Sequence, residues 1–405
     1  MLYTNFTEKL VGLQDLIITK VEDNEKEIHI YGEMKRKPHK CPCCGELTDN
    51  IHDYREQVIK DIPLFNKSLF IHLRKRRYRC QCGKRFFEEN KFLPRYHRMT
   101  NRLSAHIINE LADAVSFTSV GRKVNLSTTT VMRVFDLVSY APKQLPATLS
   151  IDEFKGNTNK EKYQCIITDP VNKLVLDILP KRYESYLTKY FLGFSKAERQ
   201  NVKTFVSDMW KPYASLASKL FKNAEQVVDK YHWIRQVFWA FDAVRKEVQN
   251  NLSKDYRKYF KKSRFLLMKR FDKLTDDQKQ QVNIMLYVSP ALSTAHFYKE
   301  EFLKILDCKD RDSAKKAMSD WIDSALDCGL PRFKKCAETM INWLTGILNS
   351  FSIPVTNGFT EGCNNKIKVL KRNAYGYQNF NRFRNRILHM FAFKQLNYNK
   401  QATAS

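Results

Sequence analysis

The sequence is poor in glycine and proline, with 12 of each among 405 residues. This scarcity argues against a disordered or fibrous chain. It also contains no apolar run near the roughly 18 residues that a membrane-spanning helix needs, and residues 1–10 have neither the basic nor the apolar segment of a secretory signal. We therefore expect a folded, soluble, cytoplasmic protein of about two to four domains, without membrane contact.

Acidic residues are also in short supply. The chain has 43 Asp and Glu against 70 Lys and Arg, which gives a net charge of +27. Such an excess repels itself in a compact state unless an anionic partner neutralises it. The basic residues are spread over the whole length rather than gathered in one tail, so nucleic acid is a better candidate partner than a membrane surface.

Cysteine is concentrated in one place, because five of the ten cysteines fall within residues 41–82. In a reducing compartment such a cluster favours metal binding over disulfides. Two pairs of thiols each precede a glycine, and four thiolates make a tetrahedral zinc site. Cys43 is left over, and the second pair has a shorter spacing than the first, which leaves the exact ligands open. The expected zinc ligands are Cys41, Cys44, Cys80 and Cys82.

Two segments are candidates for DNA contact. A basic run, residues 74–77, lies within a strand-like stretch between the two cysteine pairs, where phosphate contact is expected. Residues 101–135 are helical, with a turn near Asn125 and Ser127 as the cap of a second amphipathic helix. This pattern predicts a helix-turn-helix whose second helix places Thr128, Thr129 and Arg133 in a major groove.

Strands begin at residue 148, and two of them end in an acid. The predicted strands are 148–154, 163–168, 174–179, 202–208 and 226–229, with helices after the third and fourth. Three antiparallel strands followed by alternating helices and strands indicate a mixed α/β sheet. Residues 231–350 are predicted to be wholly helical.

Three acids could form a metal site if the first and fourth strands are neighbours. Asp152 and Asp208 would then lie side by side, and Glu361, on a predicted helix after Gly358, could complete the set. Clustered carboxylates repel each other and favour divalent cations. Two Mg²⁺ (or Mn²⁺) ions could activate a water or a 3′-hydroxyl for phosphodiester displacement.

Four motifs resemble those of the DDE transposases of bacterial insertion sequences, and most closely the ISL-three lineage. They are the segments 150–154, 207–213, 229–232 and 357–376, and the similarity extends over nearly the whole chain. The resemblance implies a ribonuclease-H-like catalytic domain within an α/β multidomain chain, with Asp152, Asp208 and Glu361 as catalytic and Mg²⁺-binding residues. It implies cleavage and strand transfer at the terminal inverted repeats of the element. The expected partner is double-stranded DNA at element ends and target, bound by a homodimer or higher oligomer in the bacterial nucleoid.

The sequence patterns and the resemblance together suggest a division of the chain, and the basic residues of these segments a set of DNA contacts. The domains are a zinc-binding module (1–97), a helix-turn-helix (98–140), the first part of the catalytic domain (146–232), an all-α insertion (233–350), its last part (351–397) and a tail (398–405). The expected DNA contacts are Arg74, Lys75, Arg76, Arg77, Arg122, Lys123, Thr128, Thr129, Arg133, Lys368, Lys371 and Arg372.

Two alternatives remain at this stage. The chain could be a non-catalytic DNA-binding regulator derived from a transposase, although a binder gains nothing from three clustered anions. It could also be a structure-specific nuclease, although such an enzyme would need no sequence-reading module.

Asp229 and His232, three residues apart, match a signature near the family's active site. Either Asp229 simply caps a helix, or the two residues support catalysis without binding the catalytic metal; the resemblance favours support.

Overall fold

The computed structural model describes residues 8–158, 160–260 and 263–402. Its strands lie in the N-terminal region and in the middle of the chain. The start of the predicted module 1–97 and the end of the predicted tail 398–405 lie outside the described residues. The strands are β1 (Leu16–Asp23), β2 (Glu27–Met34), β3 (His39–Lys40), β4 (Leu47–Thr48), β5 (Ile51–Leu64), β6 (Lys67–Arg79), β7 (Arg85–Phe87), β8 (Thr148–Thr158), β9 (Glu161–Asp169), β10 (Leu174–Leu179), β11 (Thr204–Ser207) and β12 (Glu225–Val228).

Helices lie before β8, between β10 and β12, and after β12. They are α1 (Asn101–Glu110), α2 (Phe117–Lys123), α3 (Thr128–Phe135), α4 (Glu184–Leu192), α5 (Lys196–Asn201), α6 (Lys211–Leu220), α7 (Lys230–Asn251), α8 (Lys254–Phe260), α9 (Ser263–Leu267), α10 (Asp276–Val288), α11 (Pro290–Ile305), α12 (Arg311–Leu326), α13 (Pro331–Ser352), α14 (Gly358–Asn373) and α15 (Phe380–Ala402), with a 3-10 turn at Phe271–Lys273. Within the described residues, no helix combines the length and apolar character needed to cross a bilayer.

The chain divides into two compact units, of which the first comprises described residues 8–141 and 368–402. Its sheet has the order β1-β2-β6-β5, with β7 paired to β6. Alternate residues of β2 and β6 are buried, and Ile30, Ile71 and Leu73 lie in the core of this sheet. The alternation explains the strands, because a period of two places every second side chain on one face.

The C-terminal helix α15 belongs to the same unit and packs on α1–α3. Arg386 of α15 is fully buried and donates hydrogen bonds to the carbonyl oxygens of Asp113 and Val115, at 3.0 and 2.9 Å. Its guanidinium also lies 5.6 and 5.5 Å from the ring centres of Phe117 and Phe135. A buried arginine is stable only with such partners, so this contact ties α15 to the loops and helices around α2 and α3. The sequence predicts residues 351–397, which include most of α15, as the last part of the catalytic domain.

The second unit comprises residues 142–367 apart from 159, 261 and 262. Its sheet has the order β10-β9-β8-β11-β12, with β8, β11 and β12 parallel and β9 and β10 antiparallel. All five strands predicted from the sequence are therefore present, and the first and fourth are neighbours. One face of the sheet packs on α4 and α6 through a core that includes Leu187, Phe205 and Leu216.

The described residues between β12 and α14 form helices α7–α13 and the 3-10 turn, as the sequence predicts. The last of these helices, α13, lies directly on β12. Gly346 allows this approach, because a Cβ at that position would lie 2.7 Å from Val228 Cγ2. Asn349 donates a hydrogen bond to the carbonyl oxygen of Gln226 at 2.9 Å. The helical region is thus joined to β12, the strand that directly precedes Asp229.

One predicted DNA contact is contradicted by its location. Arg76 is only 4 % exposed and lies inside the N-terminal sheet. Its guanidinium forms ion pairs with Glu88 at 3.3 Å and Glu33 at 2.9 Å, and it donates to the carbonyl oxygen of Met34. Alternation alone does not distinguish it from Arg74, since residues two apart on a strand share a face; Arg76 is buried because Glu33, Glu88 and Met34 enclose it. Arg74, two residues earlier, is exposed.

We expect Arg76→Ala to destabilise the N-terminal sheet by about 3–5 kcal/mol, because Glu88 would remain fully buried without its partner. All five tryptophans lie between residues 210 and 343, so fluorescence does not report on this sheet. Hydrogen exchange of the β6 amides measures the effect directly. The matched control is Arg74→Ala, which should change protection by less than about 0.5 kcal/mol. Equal effects of the two substitutions would contradict a structural role for Arg76.

Candidate functional site

Two carboxylates lie just beyond the point where the neighbouring parallel strands β8 and β11 stop pairing, Asp152 within β8 and Asp208 directly after β11. Strands β8 and β11 pair in register, with Ser150 opposite Val206. Asp152 and Asp208 each follow two residues later, so the pairing brings them to the same level of the sheet. Asp152 is 9 % exposed, and the carboxyl edge of parallel strands is where α/β proteins place ligands.

Asp152 is held by two hydrogen bonds. Its Oδ1 accepts from the backbone amide of Glu153 at 2.7 Å, and its Oδ2 accepts from Nδ2 of Asn364 at 2.8 Å. Burial raises the pKa of Asp152 to about 7, and the negative charges of Asp208, Glu153 and Asp229 add to the increase. The carboxyl group is therefore oriented, but its charge is poorly compensated by the protein.

Asp208 shows a similar imbalance. Burial raises its pKa to about 6, with a further increase from the charge of Glu153 and opposing effects of Arg182 and Arg235. Its Oδ1 is buried and has no hydrogen-bond partner among the described residues. An unpartnered buried carboxylate oxygen costs free energy that a bound cation would recover. The residues therefore fit a divalent cation.

A buried network of hydroxyl and amide groups fixes the start of α14. Ser150 donates a hydrogen bond from Oγ to Oδ1 of Asn357 at 2.7 Å, and Thr168 shares one with Thr360 at 2.8 Å. All four residues are fully buried. These bonds join the helix to β8 and β9, and they set the position of Glu361, the next residue after Thr360.

Glu361 lies beside Asp229 and His232. The ligand atoms of these three residues all lie within 4.8 Å of one another, and Nε2 of His232 is 3.9 Å from Oδ2 of Asp229. Among the described residues, Asp152, Asp208 and Glu361 do not form a group of that closeness. Asp229 occupies the position before α7, but its side chain accepts no capping hydrogen bond. Its simple capping interpretation is thus not supported by the geometry.

Four further residues near the carboxylates are not among the site residues predicted from the sequence. Asn364 positions Asp152, Glu153 forms an ion pair with Arg182 at 2.7 Å, and Arg235 lies near enough to lower the pKa of Asp208. Asn364 could have been noticed, because it lies on the same helical face as Glu361. The role of Arg182, which stacks 5.0 Å from the Trp210 ring, depends on tertiary contacts.

The cysteines converge on one point in the first unit. The Sγ atoms of Cys41 and Cys82 are 3.7 Å apart, and those of Cys44 and Cys80 are 3.4 Å apart. All four lie within 4.8 Å of one another. Sulfurs around a tetrahedral zinc, at about 2.3 Å each, are about 3.8 Å apart, so the set fits structural zinc. Cys43 is exposed and outside the group.

The predicted helix-turn-helix has the expected local features. Asn125 forms the turn with φ of +53°. Ser127 caps α3, because its Oγ accepts a hydrogen bond from the backbone amide of Thr130 at 3.2 Å. Gly121 is required by close packing, since a Cβ there would lie 2.7 Å from the carbonyl oxygen of Leu126. Thr129 and Arg133 are exposed on α3, whereas Thr128 is half-buried.

The remaining basic candidates lie at least partly on the surface. Arg74, Arg122, Lys123, Lys368 and Arg372 are exposed, and Lys75, Arg77 and Lys371 are half-buried. Lys75 and Arg77 both lie over the exposed ring of Phe87, at 5.3 and 5.9 Å from its centre. This strand thus presents cations beside an aromatic ring, a combination suited to nucleic acid.

Three family models match successive parts of the chain. A model described as a zinc-finger of transposases IS204/IS1001/IS1096/IS1165 matches residues 37–82. The helix-turn-helix domain of transposase family ISL3 matches residues 88–139. The ISL3 transposase model itself matches residues 149–387, which is more than half of the sequence.

Individual relatives agree with these models. The transposase for insertion sequence element IS1001 of Bordetella parapertussis is 28 % identical over 396 residues, covering 93 % of this chain and 96 % of the relative. The transposase for IS1557 of Mycobacterium tuberculosis is 22 % identical over 254 residues, 57 % of this chain and 56 % of the relative. A protein described as an ATP-dependent protease of Lactococcus lactis is 33 % identical, but over only 26 % of this chain and 33 % of its own length.

We expect Cys44→Ser to release bound zinc and to expose the strands around it, because structural zinc contributes folding energy directly. Cys43→Ser is the matched control, since Cys43 is the neighbouring thiol outside the group. Zinc content of the purified protein and hydrogen exchange of residues 39–87 measure both effects. Retention of one zinc by Cys44→Ser, or its loss from Cys43→Ser, would show that the ligand set is different.

We expect Asp208→Asn to stabilise the protein in buffer free of Mg²⁺ and Mn²⁺. With a folded pKa of about 6 against the ordinary value of 3.8 for an aspartate, ionised Asp208 opposes folding by about 3 kcal/mol above pH 6. The folded state binds the proton more tightly, so the gain from Asn is full above pH 6 and disappears as pH falls towards 4.

Tryptophan fluorescence during urea unfolding measures this effect, because all five tryptophans lie in the second unit. Asp320→Asn, an exposed position, serves as the control and should change stability by less than about 0.5 kcal/mol. A gain that does not depend on pH, or a loss at pH 8, would mean that the Asp208 carboxylate is not under electrostatic stress.

Proposed function

The chain belongs to the ISL3 family of transposases and is a DNA transposase, and we propose that Asp152, Asp208 and Glu361 are its catalytic carboxylates. In this proposal residues 146–232 and 351–397 form a ribonuclease-H-like catalytic domain, and residues 233–350 are an all-α insertion within it. Residues 1–97 are the zinc-binding module and residues 98–140 the DNA-reading helix-turn-helix. The substrate is double-stranded DNA at the terminal inverted repeats of the element.

The observation that carries the proposal is the pair Asp152 and Asp208, which lie on adjacent strands two residues past the last parallel pair of β8 and β11. Neither carboxylate is neutralised by an ion pair among the described residues, and burial raises the pKa of both. A protein that only binds DNA has no use for such anions, which repel phosphate. Carboxylates in this arrangement suit a divalent cation that in turn binds phosphate oxygens.

When bound, Mg²⁺ or Mn²⁺ supplies Lewis-acid activation of a water or a 3′-hydroxyl and stabilises the leaving oxygen. The residues of the chain hold and orient this chemistry. Asn364 fixes the direction of the Asp152 carboxylate by donating to its Oδ2. The network of Ser150, Asn357 and Thr360 holds the start of α14, and therefore Glu361, against the sheet.

Sequence recognition and general DNA affinity are assigned to different surfaces. Exposed Thr129 and Arg133, with half-buried Thr128, would read bases from α3. Phosphate contacts come from the exposed or partly exposed cations Arg74, Lys75, Arg77, Arg122, Lys123, Lys368, Lys371 and Arg372. Arg76 is left out because it is buried. We further propose that the protein acts in the cytoplasm, on nucleoid DNA, as a homodimer or higher oligomer.

The test is end-specific cleavage by purified protein with DNA that carries the flanks of its own gene. We expect Asp208→Asn to retain DNA binding and zinc but to lose cleavage in Mg²⁺, because one anionic ligand is removed while the fold is kept. Asp320→Asn, an exposed carboxylate in the helical region, should cleave at the normal rate. Normal cleavage by Asp208→Asn would refute the assigned set, and absence of end-specific cleavage by the unmodified protein would refute the activity.

A further inference from the structure

Asp229, His232 and Glu361 form a group of side chains separate from Asp152 and Asp208. Asp229 follows β12, His232 lies in the first turn of α7, and Glu361 lies near the start of α14. Their ligand atoms all lie within 4.8 Å of one another, and in the described residues the only other group of this kind is the four thiols. Three separate elements thus bring two carboxylates and one imidazole to a single point.

The geometry of Asp229 is unusual for a buried acid. The residue is 8 % exposed, and its Oδ2, which faces His232, has no hydrogen-bond partner among the described residues. Oδ1 accepts only from the backbone amide of Asn357, at 3.4 Å. Although the residue precedes a helix, its side chain makes no capping bond. A buried carboxylate oxygen without a hydrogen-bond partner destabilises the fold by about 1–3 kcal/mol or more. A bound partner at Oδ2 would remove this cost.

His232 does not supply that partner by itself. Its Nε2 lies 3.9 Å from Oδ2 of Asp229, which is too far for a hydrogen bond. The same distance fits two ligands of one cation, because atoms about 2.1 Å from a metal can be up to about 4.2 Å apart. Glu361 is exposed, so the third ligand lies on the open side of the group, where a cation could enter.

We propose that Asp229, His232 and Glu361 bind a divalent cation, and that the imidazole makes this site prefer Mn²⁺ to Mg²⁺. Mg²⁺ favours oxygen ligands, whereas imidazole nitrogen suits transition-metal ions. This inference rests on the proposed function in one respect, because Glu361 belongs to both sets. It replaces the expectation from the sequence that Asp229 and His232 support catalysis without binding metal.

The experiment measures Mn²⁺ binding by electron paramagnetic resonance, with untagged full-length protein whose zinc site is filled. Electron spin echo modulation from ¹⁴N then reports whether an imidazole nitrogen is bound to Mn²⁺. We expect nitrogen coupling in the unmodified protein and its loss in His232→Gln, with Mn²⁺ affinity lower by about tenfold or more. Mg²⁺ affinity, measured by competition, should change by less than about threefold.

His52→Gln is the matched control, because His52 is exposed and lies in the N-terminal sheet; it should keep both coupling and affinity. Asp229→Asn provides a second variant. It keeps the shape of the side chain but removes its negative charge, and it should also lower the affinity for Mn²⁺. Absence of nitrogen coupling in the unmodified protein, absence of Mn²⁺ binding, or coupling that persists in His232→Gln would each overturn the proposal.

The outcomes also separate this site from the proposed function. If Asp208→Asn loses cleavage but Mn²⁺ shows no nitrogen coupling, the transposase assignment stands and the mixed-ligand site falls. If coupling is present and depends on His232 while Asp208→Asn still cleaves, the cation site stands and the assigned catalytic set falls.

Discussion

The accumulation of buried negative charge at one edge of a sheet is the constraint on which the second unit depends. Asp152 lies within β8, Asp208 and Asp229 directly follow β11 and β12, and burial raises the pKa of all three. Folding alone would favour neutral residues there, since an uncompensated buried charge opposes folding. Parallel strands end at a common edge, so the topology that builds the sheet also concentrates these acids. The arrangement suits a divalent cation at this edge, because clustered carboxylates favour such ions.

The helix that carries Glu361 is positioned by polar contacts rather than by an apolar core alone. Ser150 and Thr168 on the sheet bond to Asn357 and Thr360 at the start of α14. Such bonds in a dry environment have narrow geometric requirements, so they fix the helix more exactly than apolar packing would. The motif 357–361 therefore has two functions, anchoring by its amide and hydroxyl groups and presentation of a carboxylate.

The first unit shows that basic residues in this chain have different physical roles. Arg76 and Arg386 are internal and stabilise the fold through ion pairs and carbonyl contacts. Arg74 and Arg133 are exposed and remain available for DNA. A net charge of +27 therefore overstates the number of cations that can reach phosphate. The converging thiols lie beside the basic strand, so zinc binding would stabilise the strand whose exposed cations are proposed to contact DNA.

The sequence by itself determined the order of the elements and the chemistry of the strong motifs. Short strand-like apolar stretches, with turn residues between them, predicted all five strands of the central sheet. Cysteine spacing predicted the zinc group, and Ser127 and Asn125 predicted the turn and cap of the helix-turn-helix. These are local signals, or signals with fixed spacing, and they do not depend on how distant parts of the chain pack. The family resemblance, confirmed by three family models, rests on the same kinds of motif.

Tertiary structure alone decided which side chains meet. A run of four basic residues does not reveal that Arg76 is buried, since the buried face of β6 is set by its neighbours β2 and β5. The positions of Asn364 beside Asp152 and of Glu361 beside Asp229 and His232 depend on the docking of α14, more than 100 residues after the strands. Long-range contacts of this kind have no local sequence pattern, because their geometry follows from packing of the whole unit.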